Sequence, residues 1–222
     1  MRRRSRLLSH EEARRVYDRI GSWQDTQAFY EDRAAAVVLR HGDFGSAQRV
    51  FEFGTGTGRF ALRLLSEHLP ATALYRGVDV SPTMVEIARR RLARYSARAE
   101  VARSHGEPSL PESASSCDRF VSNYVLDLLS EDDIAQLLRE AHRMLRPGGL
   151  LCLSGLSTGA GLISRFVARA WERVHALRPE LVGGCRPLDL RAHLPASGWQ
   201  VVQHEHLAPF AIPSEVLVAR RG

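Results

Sequence analysis

Residues 50–60, Val50-Phe51-Glu52-Phe53-Gly54-Thr55-Gly56-Thr57-Gly58-Arg59-Phe60, set three glycines on alternate positions directly after an apolar run. No other stretch constrains the fold as tightly. Val50 to Phe53 reads as a buried strand, and the segment from Arg59 to Leu65 as the start of a helix. Glycine permits a tight turn with φ > 0 and leaves no Cβ between backbone and ligand. Strand, glycine loop and helix in that order form the unit with which an open α/β sheet receives a nucleotide-like ligand at the carboxyl ends of its strands.

Two readings of the loop compete. The fingerprint G-x-G-x-x-G places a pyrophosphate on a helix N-terminus. Counted from Gly54, its third glycine falls on Arg59, so that register fails. Counted from Gly56, Ala61 completes it but Gly54 and Glu52 are left without a role. A carboxylate beside the loop repels pyrophosphate and suits a ligand that carries an ammonium and no phosphate. S-adenosylmethionine is such a ligand. A second acid agrees with it. Leu74 to Val80 reads as the next strand and contains Asp79, and an acid about 20 residues past the loop takes ribose hydroxyls. Ser81-Pro82 then supplies an N-cap with proline at the first helical position, opening a helix from Thr83 to Tyr95.

On these residues the chain resembles the class I S-adenosylmethionine-dependent methyltransferases, in particular the small-molecule branch similar to ubiquinone/menaquinone methyltransferases. The matching segments are Glu52 to Gly58, Gly77 to Met84, Cys117 to Asn123, and Leu145-Arg146-Pro147-Gly148-Gly149 before the fifth strand. The resemblance covers residues 45–156 well and the remainder in outline. It implies an α/β fold: a Rossmann-like, seven-stranded, mostly parallel sheet with an antiparallel last strand, helices on both faces and an N-terminal helical lid. Residues 1–44 would form the lid and 45–222 the Rossmann-like domain, together one structural unit.

The same resemblance assigns roles. Gly54, Thr55, Gly56 and Gly58 form the cofactor loop, Glu52 faces the methionine end, Asp79 takes the ribose, and Val80 and Met84 lie against the adenine. Many relatives place Gly-Asp-Ala after strand three, with the Asp on the adenine amino group. Here that loop reads Ser104-His105-Gly106-Glu107, with Gly106 where the Asp stands. Either His105 or Glu107 substitutes, or backbone groups do. Asn123 meets the amino-acid end through its carbonyl, and Tyr124 walls the sulfonium pocket or packs as a strand-end aromatic. Tyr17, Trp23, Gln24, Phe29 and Tyr30 belong to a segment that closes over substrate in similar enzymes. Tyr17 and Tyr30 are candidates for contact with the reacting groups, and Asp127 for a base.

The rest of the chain is expected to alternate helices and strands. Ser9-His10-Glu11-Glu12 is a capping-box pattern opening a helix to Ile20, and a second helix runs from Thr26 to Leu39. Strands are expected at 98–103, 119–123, 150–154, 199–206 and 215–220. A helix follows the Ser130 cap, and another runs from Gly161 to Leu177. The apolar stripe of that last helix (Leu162, Ile163, Phe166, Val167, Ala170, Trp171, Val174, Leu177) is expected to face inward over a substrate pocket. Arg165, Arg169 and Arg173 on another face suit an anionic membrane instead.

Composition narrows the function classes. The net charge is +6, which can signal nucleic acid or anionic lipid, yet all 31 Lys+Arg residues are arginine. That excludes Schiff-base and lysine-base chemistry and reads as scattered solvated arginine. Nucleic acid is disfavoured as a partner: Ser122-Asn123-Tyr124-Val125 lacks the prolines of base-amino methylating enzymes. No apolar run is long enough to span a membrane, and no secretory signal is visible, so a cytoplasmic location is expected. Cys117, Cys152 and Cys185 show no metal or disulfide spacing. His204 and His206 share one strand face as a possible metal pair, but no third ligand is evident, so no metal is expected. The leading expectation is methyl transfer from S-adenosylmethionine to a small-molecule O, N or C nucleophile by direct in-line displacement. Phospholipid headgroup N-methylation with peripheral membrane contact is the nearest rival, followed by RNA or protein methylation and by a non-catalytic cofactor-binding protein.

Overall fold

A computed structural model of the chain describes residues 9–21, 28–159, 161–178 and 184–222. Trp23, Gln24 and the expected start of the second helix at Thr26 lie outside the described residues. Seven strands form one sheet: β1 (Arg49–Phe53), β2 (Leu74–Asp79), β3 (Ala99–Arg103), β4 (Cys117–Asn123), β5 (Leu145–Leu156), β6 (Trp199–Leu207) and β7 (Ser214–Arg221). Their order is β3-β2-β1-β4-β5-β7-β6. The pairs β1–β2, β2–β3, β1–β4 and β4–β5 are parallel, and β7 runs antiparallel to both β5 and β6. This is the sheet expected from the sequence.

The chain builds outward from β1 to β3, then returns to lay β4 on the other side of β1. That reversal opens a crevice at the carboxyl ends of β1 and β4, where open α/β sheets bind ligands. Both faces of the sheet are covered, so its central strands are apolar on both sides. Phe51, Phe53 and Phe120 pack with Ile134, Leu137, Leu138 and Met144 on one face. Val50, Val121, Cys152 and Val218 pack with Ala34, Val37, Val38, Ala61, Leu64 and Val85 on the other.

The helices are α1 (His10–Ile20), α2 (Ala28–His41), α3 (Arg59–Arg63), α4 (Pro82–Arg91), α5 (Glu131–Met144), α6 (Leu162–Leu177) and α7 (Leu190–His193). The Ser9–Glu12 capping box forms in both directions. Helix α4 stops at Arg91, short of Tyr95, because residues 93–95 tighten into a 3-10 turn. Strand β5 begins at Leu145 rather than Leu150, with Cys117 opposite Leu145 and the ladder shifting register before Arg119.

Two buried charges fix the approach to β1. Asp118 accepts the amides of Gln48 and Arg49 at 2.8 and 3.1 Å. Arg119 donates to the carbonyls of Gly42 and Asp43 and to Ser46 Oγ. The turn that feeds the glycine loop is thereby tied to β4.

Helix α6 departs from expectation. Phe166 is 72% exposed and Leu177 81%, so among the described residues the apolar stripe does not face inward as a whole. Among the described residues of the helix, those buried are Ser164, Ala168 and His175. Trp171 Nε1 donates to the Cys185 carbonyl at 2.9 Å, and the His175 ring bonds the Gly184 carbonyl at 3.0 Å. These two bonds give the carbonyls of residues 184 and 185 the partners that buried backbone groups need.

Candidate functional site

The crevice is organised by the glycine loop. Gly54, Gly56 and Gly58 have φ of 82°, 55° and 75°, a region that side-chain-bearing residues rarely adopt. A Cβ on Gly54 would stand 2.2 Å from Val125 Cγ2, and one on Gly58 3.0 Å from Ala88 Cβ. A Cβ on Gly56 would meet nothing within 4 Å. Gly54 and Gly58 are thus small for packing, whereas Gly56 borders open space. The loop hangs on β2, since the amides of Gly54 and Thr55 both donate to the Val78 carbonyl at 2.9 and 3.0 Å.

Asp79 closes the far side. Its Oδ2 accepts the Gly56 amide at 2.8 Å and its Oδ1 the Ser81 amide at 2.9 Å. Burial raises its pKa, and these amides oppose the rise. Ser81 Oγ in turn donates to Asp18 Oδ1 of α1 at 2.6 Å, which moors α1 to the mouth of the crevice. A second mooring joins Arg59 to Asp32 and Glu31 of α2 at 2.6 and 3.6 Å.

Glu52 lies at the floor, 1% exposed. Tyr75 donates its hydroxyl to Glu52 Oε2 at 2.5 Å, and Thr55 Oγ1 lies 3.3 Å from the same hydroxyl. Burial pushes the Glu52 carboxyl up to about 8 despite the Tyr75 bond. Asn123 anchors its Oδ1 on Ser154 Oγ at 2.8 Å. Its buried Nδ2 makes no hydrogen bond of normal geometry, but lies close enough to Glu52 to favour the ionised carboxylate. The Glu52 carboxyl and the Asn123 amide thus meet at the floor of the cavity.

Of the residues predicted for the cofactor, Glu52, Gly54, Thr55, Gly56, Asp79, Val80, Met84, Gly106, Asn123 and Tyr124 line this one cavity. Gly58 sits behind the loop as the N-cap of α3. Neither His105 nor Glu107 is among the lining residues. Ser104 and Gly106 line the cavity at that loop instead, with Gly106 at φ 89° and the Ser104 amide bonded to the Asp79 carbonyl.

The three residues expected near the reacting groups separate. Tyr17 lines the cavity, with its hydroxyl 3.9 Å from Cys185 Sγ. Tyr30 stands behind the wall, stacked edge-on to Tyr124 with ring centroids 5.6 Å apart. Asp127 is buried off the cavity. Its Oδ2 accepts the Leu156 amide at 3.0 Å, Oδ1 has no partner, and burial raises its carboxyl to about 6. Sequence reasoning missed Thr57, Phe60, Ser104, Leu128 and Leu129, which also line the cavity. The apolar pair after Tyr124 was a usable signal. Ser104 carried none.

Sheet order, crevice and glycine loop together define the class I S-adenosylmethionine-dependent methyltransferase fold. Residues 50–149 match the family described as methyltransferase domain. It is 32% identical over 158 residues to a malonyl-[acyl-carrier protein] O-methyltransferase of Erwinia pyrifoliae, covering 71% of this chain and 52% of that one. The chain spans about half the length of the curated relatives it matches. Two solved structures share its fold. The [4+2]-cyclase SpnF superposes with a TM-score of 0.75 at 17% identity, covering 97% of each chain. The N-methyltransferase NodS of Bradyrhizobium japonicum, in complex with S-adenosyl-L-homocysteine, gives 0.70 at 18% identity, covering 96% of this chain and 97% of that one.

Proposed function

We propose that this chain binds S-adenosylmethionine in the crevice and transfers its methyl group to a small-molecule O, N or C nucleophile by in-line displacement. The observation that carries the proposal is the convergence on one cavity of Glu52, Gly56, Asp79, Met84 and Asn123. The residues fit the cofactor: open space at Gly56, a floor carboxyl, and an orphaned amide at Asn123. When bound, S-adenosylmethionine supplies a methyl already activated by its sulfonium. The protein's part is then placement and exclusion of water. Asp79 accepts from the ribose hydroxyls on its remaining lone pairs, while Val80 and Met84 flank the adenine beside Ser104 and Gly106. Glu52 and Asn123 meet the amino-acid end. Val125, Leu128 and Leu129 give the acceptor side an apolar wall, which suits an acceptor with an apolar body. Tyr17 reaches that side from the lid, Tyr30 braces Tyr124, and Asp127 holds the strand-end backbone from beneath.

Glu52 gives the proposal a pH signature. Its raised carboxyl is protonated below about pH 8 in the folded chain, so the stability it contributes is full below its ordinary value of 4.5 and is lost as pH rises from there through about 8. A ligand ammonium favours the ionised form, so binding at pH 7 should release up to one proton. Above the amine's own pKa, about 8 for an α-amino group, binding should take one up, which places the affinity maximum near pH 8. Calorimetry with S-adenosylmethionine in buffers of different ionisation enthalpy reads this directly, and Glu52→Gln should abolish the release. Binding without methyl transfer to any member of a labelled-donor panel of phenols, quinols, amines and carboxylates would favour non-transfer chemistry on this fold. Absence of binding would remove the proposal.

One surface favours a second reading, in which the acceptor is a phospholipid headgroup. Phe166, Leu177 and Phe210 are 72%, 81% and 72% exposed, and Arg165, Arg169 and Arg173 stand exposed on α6. No helix among the described residues is long and apolar enough to cross a membrane, so contact would be peripheral. Cosedimentation with anionic vesicles should then fall as salt rises and in Phe166→Ser; no binding at low salt sinks this reading.

A further inference from the structure

We propose that His204, His206 and Glu215 form a binding site for a single borderline divalent cation, Zn²⁺ foremost, at the edge of the sheet formed by β6. The three residues offer two imidazole nitrogens and a carboxylate oxygen, all within 4.8 Å of one another. His204 Nε2 lies 2.7 Å from Glu215 Oε1, and the two imidazoles pack edge-on with centroids 4.9 Å apart. Cation bonds of about 2.1 Å to each donor set neighbouring donors roughly 3.4 Å apart in a tetrahedral arrangement. That spacing falls between the shortest and longest separations present, and exposed imidazoles reach it by side-chain rotation.

The backbone makes this meeting happen through an irregularity. Val201 pairs with Ala219, but the ladder shifts register before Gln203, which pairs with Val218. Strict alternation from Val201 would put Gln203 and Glu205 on the face of Ala219 and Leu217. The extra residue puts His204 opposite Leu217 and His206 opposite Glu215, so both rings stand on the Glu215 face. Bulges re-aim side chains in this way at the cost of a regular ladder.

The third donor is prepared in advance. Glu215 is fully buried, and its two oxygens accept the amides of Leu190 and Arg191 at 2.9 and 3.2 Å. Such outer bonds fix a ligating carboxylate's direction. All three donors sit on strands, which hold geometry better than loops. Two imidazoles and one carboxylate suit zinc, copper or nickel in preference to magnesium or calcium. None of the three lines the cofactor cavity, so the cation would clamp the β6–β7 hairpin to α7 rather than take part in methyl transfer.

The test is calorimetric titration of the full, tag-free chain with ZnCl₂, alongside His206→Ala and His204→Ala. Both histidines are partly solvent-exposed, so these variants avoid the folding risk of altering buried Glu215. One saturable equivalent is expected, weakened roughly tenfold or more in each variant. A melting-temperature rise with Zn²⁺ should be reversed by EDTA and absent from the double variant. Visible d–d absorption of the Co²⁺-substituted protein should vanish in the same variants. No saturable binding to the wild-type chain, or binding unchanged in both variants, would overturn the proposal.

Discussion

Asp79→Ala should weaken S-adenosylmethionine binding about 100-fold or more. The carboxylate ties the glycine loop to the start of α4 and, through Ser81, to α1. It accepts from Gly56 in the glycine loop and from Ser81 at the start of α4, and Ser81 carries the bond to Asp18 in α1. Hydrogen bonds to a charged group contribute about 1.5–3 kcal/mol each, and every 1.4 kcal/mol is tenfold in affinity. Losing two to ribose hydroxyls therefore supplies the expected factor before any loosening of the loop is counted. The variant also leaves two amides without their acceptor, so its melting temperature should fall. Asp79→Asn separates the contributions: it keeps the size and one acceptor oxygen, so it should fold better than the alanine variant yet bind nearly as poorly. Affinity within threefold of wild type in both variants, measured by calorimetry on folded protein, would remove Asp79 from the ribose site.

Much of this arrangement is legible in the residues because it is local. A glycine loop after an apolar strand, an acid about 20 residues on, and a Ser-Pro cap are short-range patterns, and each falls where the chain needs it. The parallel core follows from apolar runs buried on both faces. Three features escape such reasoning, each because its cause is distant in sequence. The Asp118–Arg119 pair looks like an ordinary charged dipeptide, but its partners lie in the turn before β1. Helix α6 shows a clear stripe, yet Phe166 and Leu177 of that stripe are exposed while Trp171 and His175 bond the carbonyls at 185 and 184. His204 and His206 lack a third donor until a register shift brings Glu215 across the hairpin.

The loop after β3 fails differently. Its departure from the resemblance is visible in the sequence, but the choice among substitutes is not. His105 and Glu107 are chemically the better candidates for an adenine, whereas Ser104 and Gly106 are the ones that line the cavity. Gly106 stands at φ 89°, and its neighbours His105 and Glu107 are not among the residues that line the cavity. Side-chain chemistry names who is able to bind, and backbone direction decides who is present.

Gly54→Ala should destabilise the fold far more than Gly56→Ala, although both glycines belong to one motif with positive φ. Forcing a side-chain-bearing residue into this region costs about 1–2 kcal/mol, and both variants incur that cost. Only at Gly54 does the new methyl collide with protein, 2.2 Å from Val125 Cγ2 and 3.3 Å from Val125 Cβ. A β-branched side chain offers no rotamer that withdraws both methyls, and overpacking of this kind adds about 1–3 kcal/mol. The total of about 2–5 kcal/mol corresponds to a melting-temperature drop on the order of 10 °C for a chain this size. Gly56→Ala, with nothing within 4 Å, should lose the smaller amount and show its main deficit in cofactor affinity, because its methyl occupies the space left for the ligand. Urea unfolding with and without S-adenosylmethionine distinguishes the two. Adding Val125→Ala to Gly54→Ala should restore the steric part and leave the backbone part, a coupling that a double-mutant cycle measures. If the two single variants unfold at the same midpoint, Val125 does not pack on the loop, and the close approach that makes Gly54 necessary is absent from the folded protein.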